Sequence, residues 1–227
     1  MYPRRSFSYL PPVIKNLLII NGLAYFASIT FAQMGTDLLS MFGLYLPQSE
    51  HFQPYQLVTH LFFHDLSNFS HIFGNMFALW MFGMSLENLW GSQRFFIFYF
   101  VTGIGAALCH LGVTMVDFYQ HGDELVHVWG KTITYSEYLL RTPTVGASGA
   151  VFGLLLGFGM TFPEQRIYLY FLMPIKAKYF VAIYGLFELF AGFANQGSNI
   201  AHFAHIGGMV FGYLLLRYWK RNQFRRF

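Results

Sequence analysis

The sequence predicts an all-α membrane protein that forms a bundle of six transmembrane helices. Hydrophobic residues make up 55% of the 227 residues and charged residues only 11%, whereas soluble domains usually carry roughly 25% charged residues. The apolar residues gather in six segments, and six membrane crossings would place almost every lysine and arginine on one side. The sequence shows no internal repeat and no linker, so we expect one membrane domain over residues 1–227.

Each of the six apolar segments is a candidate for a helix that crosses the membrane. A spanning helix needs roughly 20 mainly apolar residues, because the hydrocarbon core is about 30 Å thick. The fourth segment is short, which is acceptable if its start lies below the membrane surface and is covered by protein. The predicted spans are about 13–34, 69–89, 94–116, 146–162, 178–194 and 199–219.

The distribution of basic residues predicts the orientation of these spans. With six spans both termini lie on one side, which receives 12 of the 14 lysines and arginines and leaves Lys131 and Arg141 on the other. Lysine and arginine are concentrated on the cytoplasmic side of a membrane, so we expect cytoplasmic termini, in a bacterial cytoplasmic (inner) membrane. Because the basic residues follow this rule and form no separate binding face, the net charge of +4 does not predict a nucleic-acid partner.

The two long loops on the opposite, outer side differ in character. Residues 35–58 are rich in aromatic side chains and contain no lysine or arginine, which favours a position in the membrane interface. Residues 117–143 are the most polar part of the chain, and we expect a hairpin or lid outside the membrane. Cys109 is the single cysteine, so no disulfide is predicted.

Four polar residues near the outer ends of the second, fourth and sixth spans are the candidate functional residues. His71 and Asn75 are four residues apart and share one face of the second span, Ser148 opens the fourth span, and His205 lies in the sixth. These three spans all enter from the outer side, so the four side chains should lie at one depth. Polar side chains inside a bilayer are costly and usually functional. A hydroxyl with a possible base and neighbouring donors could perform acyl transfer.

Glycine spacing indicates how Ser148 and His205 could meet. Stripes of small residues let two helix backbones approach closely in lipid, and ordinary helix packing would produce the same stripes. We expect the fourth and sixth spans to pack against each other. The glycines that recur every four residues on these spans are Gly149, Gly153, Gly157, Gly208 and Gly212.

Together these residues resemble the motifs of the rhomboid intramembrane serine proteases. The resemblance covers about residues 10–220 and includes the order of the six spans. A Gly-x-Ser-Gly sequence alone would be weak evidence, but the combination is highly specific. The matching motifs are Gly146-Ala147-Ser148-Gly149, His71-x-x-x-Asn75 and Ala204-His205-x-x-Gly208-x-x-x-Gly212.

The resemblance implies an endopeptidase that cleaves transmembrane segments of other membrane proteins, which enter past the second and fifth spans. Ser148 would be the nucleophile and His205 the general base, forming a dyad. His71 and Asn75 would help the Ser148 backbone N–H to bind the oxyanion. Phe152 matches an aromatic position that packs against the catalytic histidine. Four glycines would support this site: Gly146, Gly149, Gly208 and Gly212.

Some positions depart from the family pattern. Members often carry a Trp-Arg pair in the first outer loop, where this chain has Tyr55 and Gln56. His64 lies seven residues before His71, whereas the family commonly spaces these histidines five residues apart, so we assign His64 no role. Glu87 resembles a family glutamate that ties the second span to neighbouring structure.

A metal site is the first alternative interpretation. His60 and His64 are four residues apart, and His202 and His205 are three apart, which are spacings that metal ligands can have. The glutamate that a zincin motif needs beside its first histidine is missing, and Glu188 should lie deeper than these histidines. We therefore predict no metal and no cofactor. With no aspartate placed to orient His205, we also expect a dyad and not a triad.

Two further alternatives belong to other functional classes. An inactive rhomboid-like protein that escorts membrane partners would typically lack the serine or the histidine, and both are present here. A transporter with a histidine proton relay would need charged residues at many depths, whereas these cluster on one side. We expect transmembrane protein substrates and membrane lipid as partners, and the sequence leaves the oligomeric state open.

Overall fold

The computed structural model of the protein describes residues 7–128, 130–169, 173–194 and 199–224, and these are mostly helical. A single 3₁₀ turn (His60–Phe62) follows the third helix. The helices are α1 (Pro12–Gln33), α2 (Leu38–Phe42), α3 (Gln56–Thr59), α4 (Phe69–Trp90), α5 (Ser92–His121), α6 (Tyr135–Arg141), α7 (Ser148–Thr161), α8 (Ala177–Ala194) and α9 (Asn199–Phe224). The strands are β1 (Leu125–Val128), β2 (Lys131–Thr134), β3 (Arg166–Leu169) and β4 (Met173–Lys176).

Each of the six predicted spans coincides with a long helix, namely α1, α4, α5, α7, α8 and α9. The helix boundaries lie within two residues of the prediction, except that α5 and α9 each continue five residues further. In the described part of the chain, α1 and α5 are long and apolar enough to cross a membrane by length and hydropathy alone, and α7 is apolar but has only 14 residues. The helical segments are confirmed, and the count of six crossings stays a prediction.

The long helices alternate in direction. The carboxylate of Glu87, near the end of α4, accepts hydrogen bonds from the backbone N–H groups of Val13 and Ile14 in the first turn of α1, both at 3.0 Å. These amides have no partner within their own helix, so the predicted structural tie by Glu87 is confirmed. At the same end of the bundle, the Arg94 guanidinium at the start of α5 lies 5.8 Å from the Trp219 ring near the end of α9.

A single glycine makes the tight connection between α4 and α5. Gly91 has φ of 81°, a left-handed conformation that glycine adopts without a steric penalty. Its N–H donates to the carbonyl oxygen of Glu87 at 2.8 Å and so closes the last turn of α4. The chain therefore reverses within one residue.

Helices α5, α7 and α9 form the centre of the bundle. Phe95, Phe98 and Tyr99 of α5 are fully buried there. A Cβ atom added to Gly153 of α7 would lie 2.5 Å from the Cβ of Thr102. The glycine stripe of α7 therefore serves mainly the contact with α5.

The predicted close approach of α7 and α9 is confined to one end of the stripe. A Cβ atom on Gly208 would overlap the carbonyl oxygen of Gly149, so the two backbones are in direct contact there. Gly212 is further away, with its added Cβ 3.5 Å from the Gly153 carbonyl oxygen. Gly157 instead faces the rings of α4 and α5. The backbone contact next to Ser148 therefore needs glycine at position 208 of α9, whereas Gly149 must be glycine because an added Cβ would overlap the Cβ of Ala106 on α5.

The first outer loop is held by a buried amide. The side chain of Gln56 is 1% exposed, donates to the carbonyl oxygens of His51 (2.9 Å) and Met41 (3.3 Å), and accepts from the N–H of Gln53 at 3.1 Å. Gln56 stands where the family often has arginine, and a neutral amide bonds the loop backbone here. The loop thus keeps a central anchor despite the departure in sequence.

The second outer loop contains a hairpin, as the sequence predicts. Strands β1 and β2 pair antiparallel, with Leu125 opposite Thr134, and the hydroxyl of Thr134 then caps α6 by accepting from the N–H of Glu137 at 3.2 Å. A second antiparallel hairpin, β3–β4, lies between α7 and α8 and was not predicted. These two-stranded hairpins are the departures from a purely helical structure within the described residues.

Candidate active site

Ser148 is the first residue of α7 and follows a turn that needs glycine. Gly146 has φ of 127°, and a Cβ atom there would lie only 2.9 Å from Nε2 of His71. The N–H of Gly146 donates to the carbonyl oxygen of His60 at 2.9 Å. The absence of a side chain at Gly146 therefore lets the His71 ring lie beside the turn, and the carbonyl group of His60, in the 3₁₀ turn after α3, holds the turn in place.

The structure brings Ser148 and His205 together. Nε2 of His205 lies 3.0 Å from Oγ of Ser148, which is hydrogen-bonding distance. The ring of Phe152 stacks on the ring of His205, with centroids 4.0 Å apart and planes 6° from parallel. Since the two backbones touch at Gly149 and Gly208, the contact is set by the helix packing.

His205 has a second partner that the sequence did not predict. Oε2 of Glu188, on α8, lies 2.8 Å from Nδ1 of His205 and 2.7 Å from Nδ1 of His202. The expectation that Glu188 lies deeper than the histidines was wrong. No aspartate was expected to orient His205, and the acid that contacts its Nδ1 is this glutamate. The physical reason is that α8 and α9 run in opposite directions, with Glu188 six residues before the end of α8 and His205 six residues after the start of α9.

Glu188, His202 and His205 also match the donor set of a metal site. One ligand atom of each lies within 4.8 Å of the others, so Glu188 completes a possible donor set with this histidine pair. In this arrangement each of the two histidines bonds directly to the same carboxylate oxygen of Glu188. The prediction of a metal-independent protein stays a prediction.

His71 and Asn75 both belong to α4. One N–H of the Asn75 side-chain amide donates to the His71 carbonyl oxygen at 2.9 Å, which fixes the amide against its own helix. Both residues line the same cavity as Ser148 and His205. The structure therefore brings the four predicted polar residues to one cavity.

Two buried histidines, His60 and His64, lie close to the site, and the sequence assigned them no role. Nδ1 of His60 donates to the carbonyl oxygen of Gln56 at 2.8 Å, and burial lowers the pKa of His60 to about 4. The ring of His64 lies 5.2 Å from that of His71, centroid to centroid. Burial, reinforced by the nearby His71, lowers the pKa of His64 to about 4. Both histidines are therefore neutral at physiological pH.

The cavity that contains these groups has a volume of about 1430 Å³, larger than the roughly 300–1,000 Å³ of typical small-molecule pockets. Phe73 and Phe77 of α4 form one wall, and Phe180 and Tyr184 of α8 form another. An apolar cleft with a few polar groups at one end has the shape and chemistry to hold an apolar chain segment beside a reactive hydroxyl.

Comparison with known proteins agrees with the motifs. Residues 51–222 match the Rhomboid domain. The chain is 31% identical over 147 residues to "Rhomboid protein 1, mitochondrial" of Saccharomyces cerevisiae, covering 64% of this chain and 37% of the relative. Over 144 residues it is 30% identical to "Rhomboid protease GluP" of Bacillus subtilis, covering 63% and 22%.

A third relative aligns over more of the chain. The chain is 24% identical over 213 residues to "RHOMBOID-like protein 12, mitochondrial" of Arabidopsis thaliana, covering 94% of this chain and 60% of the relative. The chain thus spans less than two thirds of the length of each of these relatives. Because the Rhomboid domain match covers well over half of the sequence, the chain belongs to the rhomboid family of integral membrane proteins.

Proposed function

We propose that the protein is an intramembrane serine endopeptidase that cleaves transmembrane segments of other membrane proteins. The observation that carries this proposal is the 3.0 Å contact between His205 Nε2 and Ser148 Oγ inside an apolar cavity. A serine hydroxyl is a weak nucleophile until an adjacent base accepts its proton, and an unprotonated Nε2 at this distance can do so. Within the family, "Rhomboid protease GluP" is a protease by name.

The proposed reaction proceeds through an acyl-enzyme. The Ser148 proton passes to Nε2 of His205 while Oγ attacks the carbonyl carbon of the scissile bond. His205 then gives this proton to the departing amine. A water molecule repeats the sequence and releases the acid. The substrate helix must unwind locally first, since a helix hides its carbonyl groups in internal hydrogen bonds.

Three donors could stabilise the negative oxygen of the tetrahedral intermediate. The Ser148 backbone N–H belongs to the first turn of α7, where amides lack a partner within the helix. The side chains of His71 and Asn75 line the same cavity. Donors already in place before the charge develops are usually the largest single contribution to such catalysis. We assign oxyanion binding to this group.

The proposed membrane arrangement has six crossings with both termini in the cytoplasm. Its support is the alternating direction of the helices together with the one-sided distribution of lysine and arginine. The active site then opens to the outer side. We keep the bacterial inner membrane as the proposed location. The names of the yeast and Arabidopsis relatives place those two proteins in mitochondria.

The deciding experiment uses purified protein in detergent and a reporter with a transmembrane segment. Ser148→Ala and His205→Ala should each abolish cleavage, and a fluorophosphonate should label Ser148 in the unchanged protein. A chelator should leave the rate unchanged, because the proposed chemistry uses no metal. Full cleavage by Ser148→Ala would refute the proposal, and loss of cleavage with chelator would support the metal interpretation.

A further inference from the structure

Glu188 is a buried acid that the dyad mechanism does not use. Its side chain is 4% exposed, whereas those of His202 and His205 are 21% and 17% exposed. Removing a carboxylate from water is costly unless hydrogen bonds replace the lost solvent. Two imidazole donors on one carboxylate oxygen provide these bonds. An apolar side chain at this position would pack without needing such partners.

The contact with Glu188 determines which nitrogen of His205 carries the proton. An ionised carboxylate can only accept hydrogen bonds, so Nδ1 of His205 must be protonated to donate to it at 2.8 Å. In neutral imidazole the other nitrogen is then unprotonated. That nitrogen is Nε2, which faces Oγ of Ser148 at 3.0 Å and is the form that can accept its proton.

The ring of His205 is also fixed in space. Phe152 covers one ring face at a centroid distance of 4.0 Å, and Glu188 holds the Nδ1 edge. His202 donates to the same carboxylate oxygen, so the carboxylate is held in turn. A general base that is already held in its reactive orientation avoids the entropic cost of being ordered when the substrate binds.

We propose that Glu188 is a positioning residue that completes a Ser148–His205–Glu188 triad, with His202 orienting the carboxylate. This inference rests on the proposed function. Nδ1–H of His205 stays in place throughout, and the carboxylate never takes the proton. When Nε2 receives the proton of Ser148, the resulting imidazolium is stabilised by the negative charge beside it.

The reaction balances with this assignment. Attack forms the bond from Oγ to the carbonyl carbon, the carbonyl π electrons move to oxygen, and the hydroxyl proton moves to Nε2. Collapse restores the carbonyl, breaks the carbon–nitrogen bond and moves the proton from Nε2 to the amine. In deacylation a water molecule attacks the acyl carbon and gives a proton to Nε2. Collapse then breaks the bond between that carbon and Oγ and returns the proton to Oγ of Ser148, which releases the acid. Glu188 carries one negative charge at each stage.

The test compares Glu188→Gln with the unchanged protein on the transmembrane reporter. We expect kcat to fall roughly 10²–10⁴-fold, the range for losing a correctly held general base, with KM within about threefold. Fluorophosphonate labelling of Ser148 should slow in parallel. Glu188→Asp keeps the carboxylate on a shorter side chain and should recover part of the lost rate. Glu164→Gln removes an exposed glutamate that pairs with Lys176 and Lys178 and should change neither constant.

A purely structural tie between α8 and α9 would give a different result. Glu188→Gln would then lower the thermal midpoint while the turnover per folded molecule stayed at the level of the unchanged protein, and this would overturn the inference. Retained cleavage by Ser148→Ala would instead refute the proposed function itself. The two failures are therefore distinguishable.

A measurement on the unchanged protein keeps the inference testable even if the two Glu188 variants fold poorly. In ¹⁵N-histidine NMR spectra, the signals missing from His205→Gln identify His205. We expect its Nδ1 to be protonated and its Nε2 to be unprotonated. A neutral ring with the proton on Nε2 would overturn the assignment of Glu188.

Discussion

The packing of α7 against α9 differs sharply from the packing across the cavity between α4 and α8. Between α7 and α9 a single added Cβ atom at Gly208 would overlap the backbone of Gly149. Across the cavity, Phe73 of α4 and Tyr184 of α8 line the space from its two walls and are 59% and 37% exposed. The contact between α7 and α9 allows no adjustment, whereas the cavity between α4 and α8 leaves room for a segment of another chain.

The difference teaches which part of the site is fixed before substrate binding. Ser148 and His205 stand on the two helices that touch through backbone atoms, so their distance does not depend on the cavity. Glu188 stands on α8, which also forms a cavity wall. The proposed nucleophile and base therefore lie on the tightly packed helices α7 and α9, which we call the packed side. Their proposed positioning carboxylate comes from α8, which with α4 forms the cavity walls that we call the open side.

The most severe disruption of the packed side is Gly208→Ala. The new Cβ would collide with the carbonyl oxygen of Gly149, a backbone atom that cannot rotate away. The helices must separate, which removes the general base from Ser148 and costs roughly 1–3 kcal/mol of stability, as overpacking does. We expect no detectable cleavage of the reporter and a lower thermal midpoint.

The matched control is Gly185→Ala on α8. Its Cβ would meet the Met209 side chain at an ordinary 3.4 Å, and alanine favours a helix by roughly 1 kcal/mol over glycine. Cleavage within about twofold of the unchanged protein is expected. If both variants behaved alike, the contrast between the two sides would be wrong.

The next largest effect should come from Asn75→Ala. Loss of one oxyanion donor typically costs 10²–10³-fold in kcat, and KM should hardly change because the donor acts mainly in the transition state. Steady-state kinetics on the reporter measure both constants. Ser70→Ala is the control, since Ser70 lines the cavity but bonds to Asn68 of its own helix cap. A raised KM with unchanged kcat would place Asn75 in substrate binding instead.

Acidification should loosen the loop that holds the turn before Ser148. His60 and His64 have folded-state pKa values of about 4, below the 6.5 of the unfolded chain, so the unfolded chain takes up protons first. Stability is full above pH 6.5 and is lost as the pH falls toward 4. At pH 5.5 the loss is about 1.4 kcal/mol per histidine, or tenfold in the unfolding equilibrium.

Thermal midpoints measured between pH 7.5 and pH 4.5 test this expectation. His64→Phe keeps a ring at this position without a titrating group, so its midpoint should fall less steeply with acid. An identical slope in both proteins would mean that His64 does not contribute. Glu164→Gln should leave the slope unchanged over this range, because neighbouring lysines lower the pKa of Glu164 to about 2.

The smallest effect should come from the open side. Phe77→Ala removes a ring that lines the cavity and would lose roughly 1 kcal/mol of apolar contact with a bound segment, or about fivefold in KM. Labelling of Ser148 by a small fluorophosphonate needs no such contact and should stay within twofold. An equal loss in both assays would show that the cavity wall also supports the packed side.

The sequence predicted the positions of residues along the helix bundle better than it predicted which side chains are in contact. Hydropathy and helix alternation give the distance of a residue from a membrane surface, which was enough to place His71, Asn75, Ser148 and His205 together. Glu188 lies at the same level as His205, because six residues of helix, about 9 Å, separate each of them from the adjoining ends of α8 and α9. The contact between Glu188 and His205 was not predicted, because position along a helix does not show which of its faces is turned toward a neighbouring helix.

Other features were beyond prediction for a physical reason. The partners of Gln56 are carbonyl groups of the loop that contains it, and their positions follow from the path of the loop and not from any periodic pattern. The four-residue strands of the β3–β4 hairpin are too short to show an alternation that differs from chance. In the glycine stripe, spacing alone did not tell whether Gly153 faced α5 or α9.

Because Ser148 is the first residue of α7, the helix also acts on the site through its electric field. The aligned peptide dipoles of a helix place roughly half a positive charge at its N-terminus, and surroundings of lipid and protein screen that charge far less than water does. The field points at the place where the tetrahedral intermediate would carry its negative oxygen. It is present before any substrate arrives, and since it comes from the main chain, it survives every side-chain substitution that leaves the helix intact.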